Sequence, residues 1–97
     1  MERSQKEAQP PGVVTYALST LPRAEKALAK IQQDQRERIA KAIDALAKEP
    51  RPHGSTKLSG RDGYRIRVGQ YRAVYEIDDE KKTVTILDVG HRREIYR

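Results

Sequence analysis

At 97 residues, with 36% hydrophobic and 35% charged side chains, the chain is sized for one small domain, and with no Trp or Phe its core must come from Leu, Ile, Val, Ala and five Tyr. The absence of Cys excludes disulfides and thiolate metal sites, and two widely separated His argue against a zinc site, so no cofactor is expected. The net charge of +6 and a pI near 9.8 point to a polyanionic partner, either nucleic acid or an acidic protein.

Residues 1–12, "MERSQKEAQPPG", are polar and aperiodic and read as a flexible tail ahead of a domain at 13–97. The tail has no apolar h-region, so it is not read as a secretory signal, and no apolar run approaches the roughly 20 residues that span a bilayer. No membrane partner is expected, and a cytoplasmic location is. Val13 to Ser19 is β-rich and predicts a first strand. Pro22 suits the first turn of a helix, where its missing N–H costs nothing, and Ala24, Ala27, Leu28 and Ile31 follow at helical spacing. Asp34 with Glu37 resembles a capping box opening a second helix, whose stripe is Ile39, Ala42, Ile43 and Leu46 and which Pro50 and Pro52 end. The short link between them predicts an antiparallel helical hairpin.

After "RPHGST" the period changes from 3.6 to 2. Lys57-Leu58 predicts a short strand, Tyr64 to Val68 and Tyr71 to Asp78 two clear ones, "DDEKK" a turn, and Thr83 to Val89 a last strand ended by Gly90. The order β-α-α-β-β-β-β predicts an α+β fold, an antiparallel sheet with the helical hairpin on one face.

Gly69-Gln70 fits a two-residue type II′ loop, which sets Val68 opposite Tyr71, Arg67 opposite Arg72, Ile66 opposite Ala73 and Arg65 opposite Val74. One face then carries Tyr64, Ile66, Val68, Tyr71, Ala73 and Tyr75 for the core, and the other carries Arg65, Arg67 and Arg72. Arg67 beside Arg72 is a like-charge pair costing up to about 1 kcal/mol at a solvated surface. A bound anion reverses that sign, and the arginine fork suits phosphate. A solvated outer face, with Glu76 reaching Arg65 diagonally, accounts for one such arginine. Three at one end of one hairpin favour a phosphate cradle.

A second basic cluster, "HRREIYR", follows the last strand. His91, Arg92, Arg93, Tyr96 and Arg97 offer cations for a nucleic-acid backbone, a ring on which a base can stack, and one group that titrates near neutrality. Read alone, Tyr96 could equally cap the core and His91 be merely polar.

"GYRIRVGQYRAVYEI" and "VTILDVGHRREIYR", preceded by a helical hairpin and "PRPHGSTKLSG", resemble the RelE/ParE superfamily of bacterial toxins over about residues 13–97. The hairpin is most similar to the RelE branch. The resemblance implies a microbial-RNase-like fold and a toxin of a type II toxin–antitoxin system, held in a hetero-oligomer by a cognate acidic antitoxin. For the RelE branch it implies endoribonuclease activity on mRNA in the ribosomal A site; for the ParE branch, inhibition of DNA gyrase without RNase chemistry. The functional positions of the RelE pattern fall on Arg65, Arg67, Arg72, Arg92 and Tyr96, with Arg65, Arg67, Arg72 and Arg93 along the RNA.

The implied reaction is attack of an RNA 2′-OH on its own phosphate, giving a 2′,3′-cyclic phosphate and a 5′-OH without a metal. Arg72 and a hairpin arginine would carry the phosphorane charge, Arg92 the leaving oxygen, and Tyr96 a base. Where the RelE pattern has two lysines, this chain has Arg65 and Arg67, and arginine does not surrender its proton. Either Arg67 acts by charge and the base comes from elsewhere, or His91 is the base.

Overall fold

The computed structural model describes residues 15–60 and 62–91. Its order is β1 (Ala17–Thr20), α1 (Pro22–Ala29), α2 (Gln33–Ala45), β2 (Thr56–Lys57), β3 (Tyr64–Val68), β4 (Tyr71–Asp78) and β5 (Thr83–His91), which is the expected β-α-α-β-β-β-β series. The reading of 1–12 as a tail, and the first two residues of the strand placed at Val13 to Ser19, lie outside the described residues. No described helix is long and apolar enough to cross a membrane.

The five strands form one sheet in the order β1-β5-β4-β3-β2. Strands β2 to β5 are an antiparallel meander, but β1 runs parallel to β5, from Ala17 beside Thr83 to Thr20 beside Ile86. The sheet is therefore mixed, where the sequence predicts an antiparallel one. The helical hairpin explains this. Two helices in succession return the chain to the end of the sheet it left, so β2 runs against β1. Three further reversals bring β5 back into the direction of β1.

Strand β1 is also shorter than predicted at its start. Tyr16 leaves the sheet: its N–H donates to the Ala47 carbonyl at 2.7 Å, and its hydroxyl donates to Asp79 at 2.7 Å. Pro22 stands in the first turn of α1 as expected. The capping box does not form. Helix α2 begins at Gln33 after Gln32, so Asp34 sits inside the first turn, where its carboxylate still faces the positive end of the helix dipole. Its Oδ1 accepts from the Gln35 N–H, while Glu37 accepts from Gln33 Nε2.

Both helices pack on one face of the sheet. Ala24, Ile31, Ile39, Ile43 and Leu46 meet Ile66, Ala73, Tyr75, Val84, Ile86 and Val89 in a single core. Tyr75 has 0% exposure and is the largest side chain fully enclosed. Its hydroxyl escapes an unsatisfied burial by donating to the Pro50 carbonyl at 2.8 Å. The same burial pushes its pKa up to about 12.

One irregularity shapes the opposite face. Tyr75 lies beside Ile86 and Val74 beside Asp88, so Leu87 is an extra residue in β5, a β-bulge. The bulge flips the parity of β5, returning Val89 to the core after Val84 and Ile86. An unbulged ladder would set Asp88 beside buried Ala73 and Val89 beside Arg72. The strand also continues past Gly90, where the sequence predicts its end: Gly90 pairs with Arg72, and His91 with Tyr71. A glycine forms these ladder bonds like any residue and adds no side chain beside the Arg72 guanidinium.

Candidate nucleic-acid interface

The β3–β4 hairpin sets the site. Gly69 has a φ of +60°, and Gln70 is not among the residues with positive φ. A positive φ at only the first loop position is the type II′ pattern, whose twist matches the flanking strands. The resulting register pairs Val68 with Tyr71, Arg67 with Arg72, Ile66 with Ala73 and Arg65 with Val74, as the two-residue loop predicts. Alternation then buries Ile66, Ala73 and Tyr75 and leaves Arg65, Arg67 and Arg72 on the face away from the helices.

These three arginines line one recess of about 350 Å³, shared with Ile66, Gly54 and Thr56. Thr56 enters it because β2 sets it directly opposite Arg65. Arg67 is exposed, whereas Arg65 and Arg72 are half-buried and Arg72 Nη1 is shielded from solvent. Among the described residues neither Arg65 nor Arg67 has an ion-pair partner, so Glu76 does not neutralise Arg65. The recess thus gathers three guanidinium groups with a hydroxyl and a glycine backbone. It offers forked donors in a shape open to a phosphodiester, and among the described residues its lining has no carboxylate.

His91 is not brought to the arginines. It stands across from Tyr71, with the two rings edge-on at 5.8 Å and 68°, on the opposite side of the sheet from Arg72. Arg92, Arg93, Tyr96 and Arg97 lie outside the described residues. Among the described residues no group of three His, Asp or Glu could hold a metal ion.

A second polar cluster escaped the sequence reading. Arg51 makes a forked pair with Asp79, Nη2 to Oδ2 at 2.9 Å and Nη1 to Oδ1 at 3.3 Å. Its Nε donates to the Tyr64 hydroxyl at 3.1 Å, and its guanidinium carbon lies 5.3 Å from the centre of the Tyr64 ring, which stacks on Tyr75. The hydrogen bond from Arg51, then that from the Tyr16 hydroxyl, hold the Asp79 carboxyl down at about 2. The same Asp79 bond pushes the Tyr16 phenol up, and with the Tyr64 bond raises Arg51 further above its usual range. The only sequence signals were an arginine between two prolines and an acidic run that reads as an ordinary turn.

The family of ParE toxins of type II toxin–antitoxin systems (parDE) matches residues 18–96. Toxin RelG of Mycobacterium tuberculosis is 44% identical over 59 residues, covering 58% of this chain and 66% of that protein. The mRNA interferase toxin RelE of Escherichia coli is 31% identical over 87 residues, covering 86% of this chain and 92% of that one. Among solved structures, the toxin–antitoxin complex RelBE2 of M. tuberculosis aligns with a TM-score of 0.73 and 32% identity over 81% of this chain and 93% of the other. The archaeal RelE–RelB complex of Pyrococcus horikoshii aligns with 0.70 and 28%, over 81% and 97%.

Proposed function

Because the chain belongs to the RelE/ParE superfamily of type II toxin–antitoxin toxins, on its RelE side, we propose that it is a metal-independent endoribonuclease that cleaves mRNA in the ribosomal A site and so halts translation in the cytoplasm. The observation that carries this reading is the recess of Arg65, Arg67 and Arg72, in which Arg67 directly opposes Arg72. Guanidinium groups gathered in this way bind a phosphate through forked, charge-assisted hydrogen bonds.

In the proposed reaction the RNA 2′-oxygen forms a bond to the adjacent phosphorus, and the bond to the 5′-oxygen breaks. The 2′-OH gives up its proton, the 5′-oxygen gains one, and the products are a 2′,3′-cyclic phosphate and a 5′-OH. Arg67 and Arg72 bind the equatorial oxygens more strongly as charge grows on them, which is the differential binding that lowers the barrier. Arg65, beside Thr56, holds the neighbouring phosphate, with Arg93 continuing the backbone track. Arg92 stabilises the leaving oxygen and Tyr96 stacks a base. The arginines act by charge, because a guanidinium does not serve as base at neutral pH. With His91 facing Tyr71, the proton passes to an acceptor other than His91. His91→Ala should then leave the pH–rate profile unchanged.

The partner in the resting state is a short acidic antitoxin whose carboxylates cover the same guanidinium groups. The antitoxin-bound structures of relatives support an antitoxin partner. The test is single-turnover cleavage of ribosome-bound mRNA with end-group analysis. A 2′,3′-cyclic phosphate is expected. A 3′-OH product would remove the mechanism, and no cleavage together with inhibition of DNA gyrase would move the chain to the ParE activity that the family name carries.

A further inference from the structure

We propose that Arg51 and Asp79 are positioning residues for the arginine recess: their pairing fixes the Pro50–Thr56 segment that forms its wall. This rests on the phosphate-binding reading above. Neither residue lines the recess, but Gly54 and Thr56 of the same segment do.

The segment between α2 and β2 has no regular secondary structure from Pro50 to Ser55. A stretch without a ladder must be placed by side chains or else explore many positions. Several anchors hold its leading end. The Ala47 carbonyl accepts from Tyr16, the Pro50 carbonyl accepts from Tyr75, and Arg51 is held by Asp79 and Tyr64. Asp79 is in turn oriented by the Tyr16 hydroxyl. Pro50 and Pro52 flank Arg51 and restrict φ on both sides of the anchor. From there one turn, closed by the Ser55 N–H on the Pro52 carbonyl, delivers the chain to Gly54, at a φ of +101°, and then to Thr56 beside Arg65. The anchor and the wall are thus a few residues apart along a stiffened path.

The pair is also built differently from an ordinary surface ion pair. Its forked geometry and its third bond to Tyr64 define one orientation of the guanidinium. By contrast, Arg23 and Asp88 meet through a single 3.5 Å approach. A wall displaced by even 1 Å changes how a phosphodiester fits between Thr56 and the arginines.

The test is titration of the full-length protein with inorganic phosphate, following the backbone amide NMR signals of Arg65, Arg67 and Arg72 below the melting temperature of every variant. Asp79→Ala and Arg51→Ala should weaken phosphate binding by about tenfold while the spectra remain those of a folded protein. Asp79→Asn, which keeps an acceptor for Arg51, should recover part of that loss. Arg23→Ala, which breaks the Arg23–Asp88 pair, should bind phosphate like wild type. Wild-type affinity in Asp79→Ala and Arg51→Ala would overturn the positioning role and leave the recess as a phosphate site. An equal loss in Arg23→Ala would overturn it as well, by reducing the effect to general destabilisation. No phosphate shifts at these arginines in wild type would remove the phosphate-binding reading and this inference with it.

Discussion

Arginine is used in two opposite ways on this small sheet. Arg51 is fully engaged: a carboxylate takes both ends of its fork, a phenol takes its Nε, and a ring lies under it. Arg67 and Arg72 are set against each other across a ladder and line one recess with Arg65. The same side chain is structural where one carboxylate takes its whole fork and becomes a receptor where several guanidinium groups gather around one recess. A guanidinium whose fork is taken up by a carboxylate has little left to offer a ligand, whereas guanidinium groups around an open recess can turn their donors toward a bound anion.

The comparison can be sharpened by removing members of each set. The largest effect on stability is expected beneath the structural arginine. Tyr75→Ala empties the centre of the core and strips the Pro50 carbonyl of its donor, which should cost about 3–5 kcal/mol in denaturant unfolding. Next comes the receptor side. Arg72→Ala should lower single-turnover cleavage about a hundredfold, or about 2.7 kcal/mol of transition-state stabilisation. It should leave the denaturation midpoint close to wild type, since a like-charge neighbour disappears along with the packed stem. If Arg72→Ala unfolds the domain, the residue belongs with Arg51 on the structural side.

The smallest effect is a pH dependence. The Asp79 carboxyl is held at about 2, below its unfolded value near 3.8, by its bonds from Arg51 and Tyr16. Between those values the unfolded chain binds more protons, so stability rises with pH there. The contribution is complete above about pH 4–5 and is lost as pH falls through about 2. Because the pair is solvent-accessible the gain is modest. Melting temperatures measured from pH 5 to pH 2 should fall more steeply for wild type than for Asp79→Asn.

What was legible in the sequence follows from how far apart the deciding residues lie. The hairpin register was legible because Gly69-Gln70 fixes it within two residues, and with it the placement of Arg65, Arg67 and Arg72 on one face. Element order was legible from the change of period after Thr56. The parallel pairing of β1 with β5 joins residues more than sixty positions apart, and no local pattern encodes it. The bulge at Leu87 did leave a trace, since Val84 and Ile86 are even-numbered and Val89 is odd, yet the run reads as a plain strand. Asp34 and Glu37 have the spacing of a capping box, but the helix starts earlier, with Gln32 at its N-cap and Asp34 already inside the first turn. The Arg51–Asp79 pair spans 28 positions and depends on the fold already being in place.

The central claim is that the opposed arginines exist for a phosphate backbone. Binding of a short single-stranded RNA, measured against salt concentration for wild type, Arg67→Ala and Arg23→Ala, tests it most directly. Each phosphate contact on a single strand contributes about 0.7 to the slope of log affinity against log salt. The Arg67→Ala slope should be shallower than wild type by about that amount, with Arg23→Ala unchanged. An Arg67→Ala protein that binds with the wild-type slope would contradict the account.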